Sequence, residues 1–378
     1  MLVLQSPLMQ FLSIQSAVSS DFTYNDLFYR AQKNHIDDAV ARTHKENILL
    51  INTANLSPND FRSELGKLIV CVEAFGPKAV GIDINFANHF DKGNDSLMKV
   101  IASNKNIVCS FRESKAKNTF LSLPLGTRMG DTDFPANQHS IRFYKGGEKT
   151  FAFQLFKIAR GKNATSEVSQ LERFPIAYSS IHDGIVNFDD FNSKEYSKNY
   201  KLIDANDILG DSLSIKYYSS LNKSIVIIGH CGTNQFDVED RHAVPTDTAS
   251  LVNKNLLMPG AAIHANALSN MLDNHVFHEP NEWLVEVILN LVMLLMIVLI
   301  LKHPMKIILL AGLAVFSIVW IWLAMYLMEF NIYIQVGGTL IELMILEEFV
   351  ESFDPFVTRL WDRFEKRNKS KRKSKIQS

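Results

Sequence analysis

Two apolar runs near the carboxyl end constrain this chain more than any other feature. From Trp283 the sequence reads WLVEVILNLVMLLMIVLIL to Leu301, 19 residues whose only strongly polar members are Glu286 and Asn290, and Ile307 to Met328 is a run of 22 residues without a charge. Each run is long enough, as a helix, to cross a hydrocarbon core of ~30 Å. The connection between them, Lys302 to Lys306, is short, so the two read as an antiparallel hairpin. Trp320, Trp322 and Tyr326 lie toward the far end of the second run, where aromatic side chains collect at a membrane interface. A third segment, from Ile332 to Val350, is weaker, because Gln335 and Glu342 interrupt it and Glu347 and Glu348 close it. A lone glutamate in lipid is costly, so this segment is expected to pack on the other two. The competing reading, a buried helical core in a soluble protein, is disfavoured by two such runs side by side.

Charge is distributed to match. Residues 283–350 hold two basic residues against five acids, and residues 351–378 hold nine against four. That leaves 28 against 31 for residues 1–282, a mildly acidic part with no electrostatic footprint for nucleic acid. Lys302, His303 and Lys306 in the first turn, and seven Lys/Arg between Lys366 and Lys375, place those segments on the cytoplasmic side by the positive-inside rule. With three spans, everything before Trp283 is then expected outside. That requires an export signal. Residues 1–19 read as a partial or degraded signal or anchor, with a small-x-small pattern at Ala17-Val18-Ser19 but no basic start, and a membrane segment upstream is the preferred alternative.

Residues 20–280 carry an α/β rhythm. Asn47 to Ile51, Ala79 to Ile84 and Asn106 to Phe111 read as buried strands. Between them, Ser57-Pro58 is expected to open a helix ended by Gly76-Pro77, and Asp95 to Ala102 is a second helix. Residues 123–137 read as loop, Ser140 to Tyr144 as strand, Phe151 to Arg160 as helix and residues 161–200 as a polar surface excursion. Ser224 to Gly229 is the clearest strand, and Ala261 to Leu272 is a helix leading toward the first apolar run. The fold expected is a mainly parallel sheet flanked by helices, followed by three membrane helices at about 283–301, 307–328 and 332–350. Residues 351–378 follow as an amphipathic helix, with Phe353, Phe356, Val357, Leu360, Trp361 and Phe364 on one face, and a basic tail held by anionic headgroups. A partner-binding helix is the competing reading of that stripe. The three cysteines, Cys71, Cys109 and Cys231, sit in apolar or glycine-flanked contexts and read as free thiols.

Several residue groups have chemistry to offer. His230, Cys231, Asp237, Glu239, Asp240 and His242 follow the clearest strand within thirteen residues, and loops after parallel strands are where α/β folds place sites. His230, Cys231, Asp237 and His242 are weak zinc candidates, since their spacing fits no named motif; a hydrogen-bonded loop capping the sheet is the plainer reading. Asp83 and Asn85 end a strand, with His89, Asp91 and Asp95 following; they read either as the lip of a ligand pocket or as helix-capping carboxylates and amides. His264 and Asn266 lie on the helix before the first apolar run, either as satisfied core residues or as a relay toward it. No GxGxxG, Walker loop, HExxH, GxSxG or CxxC is present, and no cofactor is implied.

The order of motifs resembles a known family. Tyr24-Asn25-Asp26-Leu27-Phe28-Tyr29-Arg30, then AVGIDINF at 79–86, a helix opened by Asp95, SIVIIGHCG at 224–232, MPGAAIHANALSNML at 258–272 and a Pro-Asn-x-Trp entry into the apolar runs are similar to the CHASE2 domain. The resemblance covers roughly residues 20–350. It implies an extracytoplasmic sensory module of a bacterial inner membrane, preceded by one membrane helix and linked by three more to a cytoplasmic histidine kinase, Ser/Thr kinase or nucleotide cyclase. It favours Asp83 and, modestly, His264 and Asn266; with Asn85, Asp95, Asp240 and His242 these are the candidate ligand-binding or relay residues. The 28 residues after the third segment are too few for such an output domain. The expectation is therefore a sensor without its own output or enzyme activity. It would answer an unidentified ligand through a membrane or cytoplasmic partner, a homo-oligomer being compatible. An extracytoplasmic metal-dependent enzyme using residues 230–242, and one piece of a larger receptor, stay open as alternatives.

Overall fold

The computed structural model describes residues 48–84, 86, 93–112, 123–135, 140–161, 167–178, 185–187, 200–210, 218–231, 240–242, 244, 258–281 and 306–334, with 283–285, 287, 288, 291 and 295. These fall into two compact units, one over the described residues up to Glu279 together with Asn331–Tyr333, the other over Pro280–Phe330 and Ile334.

The first unit is organised by strands apolar on both faces. β1 (Ile48–Asn52) is buried at all five positions, as is β9 (Ile225–Gly229), the pattern of strands covered from two sides. With β2 (Ala79–Asp83), β3 (Ile107–Phe111), β4 (Arg128–Asp131), β7 (Ile185–Asn187) and β8 (Tyr200–Asp204) they form a seven-stranded sheet in the order β4-β3-β2-β9-β1-β8-β7. Every pairing in it is parallel.

Strand alternation divides the side chains between two layers. On one side, Leu49, Ile51, Val80, Ile82, Ile107, Cys109, Val226 and Ile228 pack with Leu65, Leu68, Ile69 and Val72 of α1 (Phe61–Ala74) and Leu97 and Ile101 of α2 (Asn94–Ser103). On the other side lie α3 (Phe151–Arg160) and α6 (Gly260–Leu272), the latter buried along its whole length. Gly81 lets α3 approach, since a Cβ there would sit 2.7 Å from the Phe151 ring. Two short helices, α4 (Ala205–Leu209) and α5 (Tyr218–Leu221), precede β9. β5 (Phe143–Lys145) pairs antiparallel with β6 (Arg173–Pro175) across α3, and β10 (Arg241–His242) pairs antiparallel with β11 (Met258–Pro259).

Several expectations are corrected here. α1 starts at Phe61 rather than at Pro58, because residues 58–60 form a turn in which the Asp60 amide donates to the Ser57 carbonyl (3.2 Å). The Glu64 carboxylate reaches back to accept from the Ser57 amide at 2.8 Å, so the serine marks the approach to the helix and not its first turn. Residues 123–137 are not all loop, since β4 extends the sheet there. Residues 161–200 are not merely a surface excursion either, because Phe174, Ile176, Ala177 and Tyr178 are buried. The Ala177 amide and carbonyl are both held by the Asn270 side chain of α6 (2.8 Å each). The third apolar segment does not begin as a helix at Ile332. The His278 amide donates to the Asn331 carbonyl (2.7 Å) and the Tyr333 amide to the His278 carbonyl (2.9 Å), with Tyr333 buried edge-on against Phe143 (ring centroids 5.6 Å apart).

In the second unit, α7 (Lys306–Met328) is a 23-residue helix, in which Trp320 and Ala324 are buried against Val285, Phe316, Ile321, Leu323 and Ile334. Many of the side chains of the first two apolar runs lie outside the described residues. Among the described residues no helix is long and apolar enough to cross a membrane. The third segment beyond Ile334, the amphipathic stripe at 353–364 and the basic tail lie outside the described residues, as do residues 1–47 with the Tyr24–Arg30 motif.

Candidate functional site

β9 is inserted late in the chain between β1 and β2, so the centre of the sheet is where successive strands depart in opposite directions. A doubly wound sheet opens a crevice at the carboxyl ends of its strands at such a point. Here it is a cavity of about 330 Å³ lined by Thr53 after β1, Asp83 at the end of β2 and Ile84 after it, Ser110 and Phe111 of β3 and Arg112 after it, Thr132 after β4, His230 after β9, Asp240 before β10, and Phe61 at the start of α1.

The floor is tied by hydrogen bonds. The Asn52 side-chain carbonyl accepts from the amides of Ala54 and Cys231 (3.0 Å each), which locks the ends of β1 and β9 together. Ser110 Oγ donates to the Ile84 carbonyl (2.9 Å), and the Thr132 amide and hydroxyl both donate to the Phe111 carbonyl (2.9 and 3.1 Å). Gly229 lies between Asn52 and Asp83 in register. A Cβ on it would come within 3.1 Å of Ala261 and 3.4 Å of the Asp83 side chain, so the glycine leaves room for both.

Behind the crevice sits a buried polar relay. Tyr144 is bonded to His264 Nδ1 at 2.7 Å and accepts from the Ala152 amide at 3.3 Å. With its oxygen accepting from Ala152, the phenol has its proton to give to the histidine, which makes Nδ1 the acceptor and leaves the ring proton on Nε2. That nitrogen faces Asp83 Oδ2 at 3.7 Å. Burial, helped by the nearby Asp240 charge, pushes the Asp83 carboxyl up to about 8, against a smaller lowering by Arg112. Burial also drives His264 down to about 3; Asp240 opposes this and His242 and Arg112 add to it. At neutral pH both partners are predominantly uncharged, so their approach is not an ion pair. The His264 ring is clamped by Phe134, stacked at 5.2 Å, and by Phe151 at 5.2 Å, and Phe134 meets His242 edge-on at 5.0 Å.

At the rim, Asp240 Oδ1 lies 3.7 Å from Arg112 and 3.6 Å from His242 Nε2. That His242 nitrogen is buried and, among the described residues, without a hydrogen-bond partner.

Of the residues expected to form a site, the structure brings together Asp83, Asp240, His242, His264 and His230. Asn266 is elsewhere: its amide donates back to the Ala262 carbonyl (2.9 Å) and toward Met258 Sδ (3.8 Å), and it does not line the crevice. Asp95 is exposed in the first turn of α2 behind Gly93, whose φ of 94° supplies the helix entry; among the described residues no side chain caps this helix, so Asp95 does not serve as its cap and only places a negative charge at the amino end. Asn85, His89, Asp91, Asp237 and Glu239 lie outside the described residues. Cys231 is buried behind the floor; all three cysteines are free thiols, and burial pushes Cys109 up to about 12. Among the described residues no group of three metal-ligating side chains could hold an ion.

Sequence reasoning missed Arg112, Phe134 and Tyr144. Arg112 had a usable signal, since it follows a buried strand as Ile84 follows Asp83. Phe134 and Tyr144 had none, because their roles depend on packing against a helix more than a hundred residues away.

Comparison with known proteins gives one match. A family model described as the CHASE2 domain matches residues 8–303. No curated protein and no solved structure matches.

Proposed function

The chain belongs to the CHASE2 domain family, an extracytoplasmic sensory family, and from that premise we propose that it is a membrane-anchored sensor whose stimulus is received in the crevice at the carboxyl ends of β1, β2, β3 and β9. The observation that carries this reading is the mixed-charge cavity at the switch point of the sheet, with Asp83, Arg112 and Asp240 on its walls. Small-molecule sites are concave, partly apolar and furnished with a few convergent polar groups, and α/β sheets place them at this position.

The membrane part of the proposal rests on the two apolar runs of residues 283–301 and 307–328, with a third span in residues 332–350 beginning after Tyr333. The Lys/Arg distribution supports a sensory unit outside the cytoplasm of a bacterial cell and residues 351–378 inside. The signal passes to a membrane or cytoplasmic signalling partner, and the chain acts by binding rather than by catalysis.

Two measurements test this in the full chain. A compartment-sensitive reporter at the carboxyl terminus and another within residues 179–184 should report opposite sides of the membrane; reports from the same side would overturn the topology. A nucleotide cyclase catalytic domain fused after Ser378 should change its activity when the crevice is blocked by His230→Trp, with a thermal melt showing that the variant is folded. A folded variant with unchanged output would remove the crevice from the reading.

A further inference from the structure

The crevice holds charges of both signs that the described residues leave without hydrogen bonds. Arg112 approaches Asp240 at 3.7 Å, longer than a hydrogen bond, and its side chain is 40% exposed. Among the described residues, the Asp83, Asp240 and Arg112 side chains make no hydrogen bond, and the buried Nε2 of His242 faces Asp240 without one. The Arg112 and Asp240 side chains, 40% and 24% exposed, line the cavity together, so their hydrogen-bonding capacity is open to an external partner there. Phe61, Ile84 and Phe111 provide apolar wall beside them.

The arrangement selects the partner. A simple anion would suit Arg112 but face two carboxyl groups, and a simple cation would suit Asp240 but face the guanidinium. A ligand carrying both charges on neighbouring atoms matches an acid and a guanidinium held side by side. In an α-amino acid the ammonium and carboxylate share one carbon, so the two can engage Asp240 and Arg112 together, the guanidinium through parallel N–H donors. The cavity of about 330 Å³ leaves space for a side chain against the apolar wall. Building on the sensory reading above, we propose that the crevice binds a free α-amino acid, its carboxylate on Arg112, its ammonium on Asp240, with Asp83 behind that ammonium.

The test uses the full chain in detergent or nanodiscs and the twenty common L-amino acids as probes, followed by calorimetry and thermal shift. At least one should bind saturably. Its decarboxylated amine and its deaminated acid should each bind at least tenfold more weakly. Arg112→Gln should erase the preference for the amino acid over the amine, and Asp240→Asn the preference over the acid, with the melting transition of each variant retained. The proposal falls if no amino acid binds, if either half-analogue binds as well as its parent, if both variants weaken all probes equally, or if Ca²⁺ or Zn²⁺ binds in a manner that Asp240→Asn abolishes while amino acids do not bind. If amino acids fail but His230→Trp still changes the output of the cyclase fusion, the sensory reading stands and only the ligand class is lost.

Discussion

On the α1 side of the sheet, Leu49, Ile51, Val80, Ile82, Val226 and Ile228 meet Leu65, Leu68, Ile69 and Val72, all buried and all aliphatic. On the α6 side the same strands alternate buried Leu50, Ile225 and Ile227 with Gly81, Asp83 and Gly229, Ser110 of β3 lies beside them, and the helix facing them carries His264, Asn266, Ser269 and Asn270 into the interior. One layer is held by removal of apolar surface from water, tolerant of geometry. The other adds directional hydrogen bonds and close backbone approach to its apolar contacts. A protein that must present a defined set of charges at the end of its sheet needs the second kind of packing behind them, and can leave anchoring to the first.

That contrast can be broken in graded ways. Leu68→Ala, on the aliphatic face, should cost about 3 kcal/mol in denaturant unfolding, the same at every pH; a markedly pH-dependent loss would mean that the two faces are not separate. Gly81→Val should cost about 2 kcal/mol or more by driving a side chain into Phe151 and Leu155, where a Cβ alone would be 2.7 and 2.9 Å away; a neutral result in the same unfolding measurement would show that α3 yields. Tyr144→Phe should cost about 1–2 kcal/mol, because it strands His264 Nδ1 and the Ala152 amide, and nitrogen NMR of His264 should show its tautomer preference relaxed.

The smallest effect is a pH profile. The folded Asp83 carboxyl, raised from 3.8 to about 8, holds its proton more tightly than the unfolded one, so its contribution falls as pH rises through that window. His264, lowered from 6.5 to about 3, contributes stability above 6.5 that is lost as pH falls toward 3. Over the shared interval the two slopes cancel. Stability should therefore show a plateau at mildly acid pH, declining from about pH 6.5 toward 8 and again at strongly acid pH. Asp83→Asn should flatten the alkaline decline; a decline unchanged in that variant would assign it to other groups.

The aliphatic face was legible in the sequence and the polar face only partly so. ILLIN, AVGID and IVIIG announce buried parallel strands because the signal is local and repeated, and the helix over residues 61–74 shows its apolar side at helical spacing. Asp83, Asp240, His242 and His264 could be suspected from their place after strands or on the last helix of the unit. Their convergence could not, since the His264–Tyr144 bond spans 120 positions and nothing in SIRFY distinguishes a tyrosine that reaches that helix from one in a core. β4 escaped notice because Arg128–Asp131 reads RMGD, with too few apolar residues to announce a strand; Gly130 is there because a Cβ would collide with the Phe151 backbone at 2.4 Å. The non-helical run Asn331–Tyr333 was absorbed into an apolar segment because hydropathy does not distinguish a buried tyrosine from a lipid-facing one.

That last run has a practical consequence for anyone dissecting the molecule. The first unit is discontinuous in sequence, and a gene cut after Glu279 would encode it without Tyr333, stripping the Phe143 and Phe277 rings of that contact and leaving the His278 amide and carbonyl without their partners in residues 331 and 333. A faithful water-soluble version would instead replace residues 280–330 by a short glycine-serine bridge and end just after Tyr333. Because closure entropy varies only logarithmically with length, ~0.6 kcal/mol per doubling, such an excision alters the stability of the unit little, whereas simple truncation discards part of its wall.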